Sequence, residues 1–278
     1  MSERADPIGL IANKVSEGFL GGPQRRSVGT PFGPAEVMVG VHAGRDVVCL
    51  ERYGRDMTVP SHKVNHRANI FALRSLGCRR VISQNAIGSL SASILPGDIV
   101  VPHDLIDHTK ARPLSMFDLE DCWVRVDMTA PFCGGIRSVL ISAGTGESSR
   151  VLPEGVFVCT EGPRLETPAE VATYRHEGGD IVGTPVIPEA VFAREVEMCY
   201  ASIAPVINLA AGLSAAVDHR GMNEFYVQSG LQRRTEAMIG FAIGSLPSRE
   251  PCSCHRALGS GFHGRVPAWL WADSSVHP

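Results

Sequence analysis

Apolar residues in this chain come in short blocks separated by polar turns rich in glycine and proline. The blocks at residues 8–11, 37–41, 46–51, 80–83 and 156–158 have the length and β-branched content of strands. Residues 37–41 and 46–51 flank Ala43-Gly44-Arg45 and read as a hairpin, and residues 96–101 and 104–107 add further short strands. Between residues 61 and 76, Val64, Ala68, Phe71, Ala72 and Leu76 recur at helical spacing. A final amphipathic helix is expected over residues 224–243, with Phe225, Leu231, Met238 and Phe241 on its core face. Residues 156–195 are the most informative stretch. A buried strand ends at Gly162-Pro163, Thr167 caps a helix with Pro168 at its first position, and Glu170 completes a capping box. Gly178-Gly179 closes that helix, residues 180–183 form another strand, and Pro188 opens a helix carrying Glu189, Arg194 and Glu195. This βαβ order predicts a single α/β domain with a mixed central sheet flanked by helices. Its turns would bring Glu166, Thr184 and Glu189 to one end of that sheet, where open α/β folds bind ligands.

Composition narrows the function class. A chain of 278 residues suits one large domain, expected over residues 1–246, followed by a flexible or docked tail at 247–278 rich in Pro, Ser, Gly, Cys and His. A formal net charge of -3 gives no electrostatic reason to expect nucleic acid. The longest apolar stretch, residues 199–217, is broken by Pro205, Asn208 and Gly212, so no membrane span is expected. The N-terminus lacks the apolar core of a signal peptide, which points to the cytoplasm. Six of the eight cysteines (Cys49, Cys78, Cys122, Cys133, Cys159, Cys199) lie in apolar segments and read as buried reduced thiols. Cys252, Cys254, His255 and His263 have poor ligand spacing for zinc, so no metal is expected. Gly144, Gly146 and Glu147 lack a strand-to-helix setting and read as a loop. Trp269 and Trp271 are expected to dock, on the body or on a neighbouring subunit.

Several ordered motifs carry a family resemblance: TPFG at 30–33, KVNHRANIFAL at 63–73, NAIGSL at 85–90, PGDIVVPHDLID at 96–107, EGPRLETPAE at 161–170, PEAVFARE at 188–195 and CYASIAPVINLAAG at 199–212. Together, over residues 8–216, the chain resembles the purine nucleoside phosphorylase family, in particular its methylthioadenosine and methylthioinosine phosphorylase branch. The resemblance implies a pentosyltransferase-type enzyme acting on the N-glycosidic bond of a purine nucleoside, without cofactor, as a homotrimer. It places Leu165, Glu166 and Asn208 at the base, with Asn208 also catalytic. Asn208 stands where adenine-preferring relatives carry aspartate. An amide can both donate and accept, which suits a 6-oxopurine or its 5′-modified nucleosides. Thr184 would meet the sugar, as would Arg125 reaching a neighbouring subunit. Arg52, Asn85 and Ala86 would hold phosphate or another anion, to which Lys14, on a turn unlike the family's, could add a point charge, and Gly88 reads as purely conformational.

Cleavage of the C–N bond passes through a sugar cation, so it requires charge stabilisation, help for the departing base and an acceptor below C1′. The acceptor side is where the chain departs from the family. The Gly-rich turn has become residues 12–16, with Val15 in place of a glycine, and Tyr53 replaces a histidine. Pro185 falls at a hydroxyl position, unless a one-residue slip gives that role to Thr184. Three readings stay open: a phosphorylase with an unusual anion pocket, an enzyme using water or another acceptor, and a non-catalytic nucleoside-binding subunit.

Overall fold

The computed structural model describes residues 5–145, 150–214, 218–247 and 251–271. Its first half comprises β1 (Ile8–Ala12), β2 (Gly21–Val28), β3 (Ala35–His42), β4 (Arg45–Glu51), α1 (His66–Ser75), β5 (Arg80–Gln84), β6 (Ile87–Ser89), β7 (Ile99–Val100) and β8 (Asp104–His108). There follow β9 (Cys122–Val124), α2 (Gly134–Ala143), β10 (Val151–Leu152), β11 (Val156–Thr160), α3 (Pro168–His176), β12 (Ile181–Gly183), α4 (Val186–Glu195) and β13 (Cys199–Leu209). The chain closes with α5 (His219–Gln228), α6 (Leu231–Ser245), β14 (Phe262–Gly264) and the short α7 (Ala268–Trp271).

One mixed sheet runs β2-β3-β4-β1-β5-β13-β6-β12-β11-β8, and β7 and β10 are attached beside β13. β1 lies between parallel partners β4 and β5 and is buried at every position, hence its unbroken apolar run. β13 pairs with β5 along its first half and with β6 along its second, with a register shift between Val206 and Asn208. α1 packs on α4, while α2 and α5 each pack on α6. Phe157 and Phe192 are fully enclosed, and each such side chain contributes roughly 1.5–3 kcal/mol by leaving water. Among the described residues, no helix is long and apolar enough to cross a membrane.

The expected single α/β domain with a mixed sheet is what forms, with local differences. The helix expected from residue 61 is a 3-10 turn at Ser61–Lys63, followed by α1, because Asn65 caps the Ala68 amide. The single final helix is two, α5 and α6, parted at Gly230, whose φ of 74° ends the first helical path. Phe241 is 53% exposed and is not a core residue. β2, with nearly every residue exposed, is an edge strand that no apolar pattern announced. The Thr167–Glu170 capping box is present as expected.

The C-terminal segment is packed on the body. β14 pairs with β9, the Trp269 ring stacks on Phe117, and its indole N–H donates to Glu120 at 2.6 Å. The side chain of Trp271, and Gly146 and Glu147, lie outside the described residues.

Candidate active site

A cavity of about 540 Å3 opens at the end of the sheet formed by β6, β12 and β13, a volume suited to one small organic ligand. Its lining includes Ala86, Leu165, Glu166, Thr184 and Asn208, so five of the nine residues singled out from sequence meet there. The bulge before Asn208 re-aims the end of β13, and Asn208 lies beside Gly88 in the ladder. The Asn208 amide donates to the Leu209 carbonyl at 2.8 Å. A Cβ on Gly88 would stand 3.3–3.4 Å from the amide nitrogen and oxygen of Asn208. Gly88 is thus kept small by the side chain beside it; it is not among the residues with positive φ. Glu166 follows the Gly162-Pro163 turn, and its Oε1 accepts the Thr160 hydroxyl at 2.8 Å. Leu165, 45% exposed, leaves an apolar face at the mouth.

The other four residues do not line this cavity. Lys14 is exposed. Asn85 is fully buried: its backbone N–H donates to the Ile203 carbonyl and its side-chain amide to the Ser202 hydroxyl at 2.8 Å. Arg125 is exposed beside β9, its guanidinium 5.4 Å from the Trp123 ring centre. Arg52, expected to offer its guanidinium to an anion, is buried in an ion pair with Glu189. All five of its N–H groups have protein acceptors: Glu189 Oε1 at 2.6 Å and Oε2 at 3.1 Å, Asn13 Oδ1 at 2.9 Å, the Gln84 carbonyl at 3.2 Å and Ser83 Oγ at 2.7 Å. Burial disfavours charge on both partners. Their mutual attraction wins, raising the Arg52 pKa and holding the Glu189 carboxyl well below the usual range. Glu189, placed with Glu166 and Thr184 from sequence, therefore serves this pair and lies behind the cavity.

What faces the cavity on the Arg52 side is uncharged. The Tyr53 phenol and the Thr184 hydroxyl share a hydrogen bond of 3.2 Å, and Asn13, whose backbone N–H donates to Gln84 Oε1, stands beside them. Among the described lining residues the one cation is Arg164, and both its terminal nitrogens are engaged by Glu170, at 2.8 and 2.6 Å. Asn13 and Met222 were missed from sequence. Asn13 could have been found as the first residue after a parallel strand's carboxyl end, but Met222 reaches the cavity from a helix with no local cue.

A model of the phosphorylase superfamily matches residues 16–238. The chain belongs to that superfamily. It is 40% identical over 244 residues to a 6-oxopurine nucleoside phosphorylase of Pyrococcus furiosus, covering 84% of this chain and 91% of that protein. It is 44% identical over 239 residues to a probable S-methyl-5′-thioinosine phosphorylase of Methanothermobacter thermautotrophicus, covering 84% and 81% respectively. Among solved structures it resembles a methylthioadenosine phosphorylase from an antarctic soil metagenomic library, with a TM-score of 0.86, 28% identity and 97% of each chain covered. The superfamily assignment bears out both the fold and the family expected from the motifs. Within this superfamily member, Leu165, Glu166 and Asn208 reach the cavity, while Arg52 is withdrawn from it.

The tail contributes two residues to a cluster of thiols. Cys252 and Cys254 do not group with His263, which stacks on Trp123. They meet Cys133 and Cys199, and the four sulfurs lie within 4.8 Å of one another. Ligand spacing within the tail gave no sign of that gathering, because two of its four cysteines lie far away in the chain.

Proposed function

We propose that this chain cleaves the N-glycosidic bond of a 6-oxopurine nucleoside, 5′-modified nucleosides included, with the pentosyl group passing to an acceptor in the same cavity. The observation that carries this reading is the placement of Asn208 and Glu166 on one cavity, with Gly88 leaving room for the amide. Asn208 would donate to the purine near N7 as the base departs, and Glu166 would accept from its N–H edge. Leu165 would cover the base, and the Thr184 hydroxyl would meet the sugar. The cavity needs no cofactor for this chemistry. Assembly as a cytoplasmic homotrimer, with Arg125 of one subunit serving a neighbour's sugar, belongs to the same reading.

One observation favours a second reading of the acceptor. With Arg52 fully engaged by protein groups, phosphate would meet the neutral Tyr53, Thr184 and Asn13 and no uncommitted cation among the described lining residues. Water then competes as acceptor, and phosphate dependence is expected to be weak. The activity itself is tested by following hypoxanthine release from inosine and from 5′-deoxy-5′-methylthioinosine by chromatography. Release that falls at least tenfold in Asn208→Ala supports the proposal. Tight nucleoside binding without release from either compound would mark a binding subunit instead.

A further inference from the structure

We propose that Cys133, Cys199, Cys252 and Cys254 form a tetrathiolate site for a zinc ion that fastens the C-terminal segment to the α/β body. The ligands come from three separate places in the chain. Cys133 is the residue before α2, Cys199 opens β13, and Cys252 and Cys254 flank one residue at a 3-10 turn, Ser253–Arg256. The backbone holds these places together. The Cys133 N–H donates to the Tyr200 carbonyl at 2.8 Å, Cys199 N–H to Arg79 at 2.9 Å, and His255 N–H to Cys252 at 3.0 Å.

The sulfur spacing suits a metal. A tetrahedral zinc with bonds of about 2.3 Å separates its ligand sulfurs by about 3.8 Å. Here the Cys133 and Cys252 sulfurs are 3.8 Å apart, and all four lie within 4.8 Å of one another. A disulfide would require about 2.05 Å. Three of the four cysteines are buried and Cys252 is partly so, as a closed structural site without an open coordination position requires.

The surroundings suit the charge. Binding Zn2+ to four thiols releases four protons and leaves a complex of net charge -2. The Arg194 guanidinium lies 3.5 Å from the Cys254 sulfur, and His255 Nε2 lies 3.3 Å from that of Cys199. Both can donate to thiolate sulfur, and such contacts around a metal site hold its ligands in place. A binding role at the nucleoside cavity is not implied, since none of the four cysteines lines it.

The test is elemental analysis of protein purified under reducing conditions, paired with cobalt substitution. One equivalent of zinc per chain is expected, falling by at least tenfold in the double variant Cys252→Ser/Cys254→Ser and unchanged in Cys49→Ser. Cobalt(II) added to the reduced, chelator-treated wild type should give the intense visible bands of a tetrahedral tetrathiolate at one equivalent; this measurement needs no variant to fold. Zinc-free protein that takes up no cobalt would overturn the proposal, as would stoichiometric iron in place of zinc. So would intact-mass analysis showing the four thiols lost to two disulfides in freshly isolated protein.

Discussion

Replacing Arg52 by methionine tests whether this arginine serves the fold or an anion. Arg52 and Glu189 side chains are both wholly inaccessible, and five hydrogen bonds converge on the guanidinium. Removing the arginine leaves Glu189 with the Tyr200 hydroxyl at 2.9 Å and Ser83 at 3.0 Å, and with no compensating cation bonded to it. Breaking one side of a buried pair costs about 3–5 kcal/mol, a large share of the roughly 5–15 kcal/mol that holds a domain together. Replacing both partners, as Arg52→Met/Glu189→Leu, removes the orphaned charge and should recover most of that loss. His66 Nδ1 lies 3.5 Å from Glu189; burial lowers the His66 pKa, and the nearby Arg112 and Arg52 charges lower it further. In the single variant His66 should protonate more readily, so the loss is expected to shrink on the acid side. Urea denaturation read by tryptophan fluorescence gives the midpoint and slope for each variant. A single variant within about 1 kcal/mol of wild type, or a double variant no more stable than the single, would refute a structural role for the pair.

Three further changes probe the base site and a buried acid. Asn208→Asp should shift preference towards 6-aminopurine nucleosides, with loss of one hydrogen bond to the 6-oxopurine costing roughly 1–3 kcal/mol; equal calorimetric affinities before and after the change would remove Asn208 from the base contact. Gly88→Ala should displace the Asn208 amide by a few tenths of an ångström, raising KM for inosine while the melting temperature hardly moves. Glu195 is 3% exposed, and burial pushes its carboxyl from the ordinary 4.5 up to about 7, although the Met116 N–H at 2.7 Å opposes this. A raised folded-state pKa means its contribution is fully present below 4.5 and lost as the pH rises through about 7. The loss is roughly 3 kcal/mol at most. Glu195→Gln should flatten that part of the stability profile, and a profile identical to wild type would contradict it.

The parts of this fold that could be read from the chain are those written in local chemistry. The 156–195 stretch carries its own cap, breaks and strand pattern, and the strand and helix form where those signals put them. β2 could not be read because GGPQRRSV lies exposed at a sheet edge and has no core face to announce. Gly230 could be tolerated within a helix, so only its observed left-handed conformation shows that α5 and α6 part there. The proposed base side of the cavity was legible because Glu166 and Asn208, which both line it, stand in recognisable motifs. The acceptor side was not. Residue type shows that Arg52 is a cation, but Glu189, 137 residues away, decides what it is free to bind. The four-cysteine cluster is hidden for the same reason, since Cys133 and Cys252 are 119 residues apart.

The most direct test of the central claim is to identify the sugar product formed from inosine and from 5′-deoxy-5′-methylthioinosine, with and without phosphate, at matched ionic strength. The cavity is lined by Glu166 and Asn208, the residues proposed to meet the base, and by no uncommitted cation among the described lining residues. The expected result is base release at nearly equal rates in both buffers, with free sugar as the main product. Charge-assisted hydrogen bonds are worth roughly 1.5–3 kcal/mol each, so losing several should weaken phosphate binding by orders of magnitude. Formation of sugar 1-phosphate alone, at a rate that saturates at low phosphate concentration and vanishes without it, would contradict the claim and show that the acceptor side binds phosphate despite the engagement of Arg52.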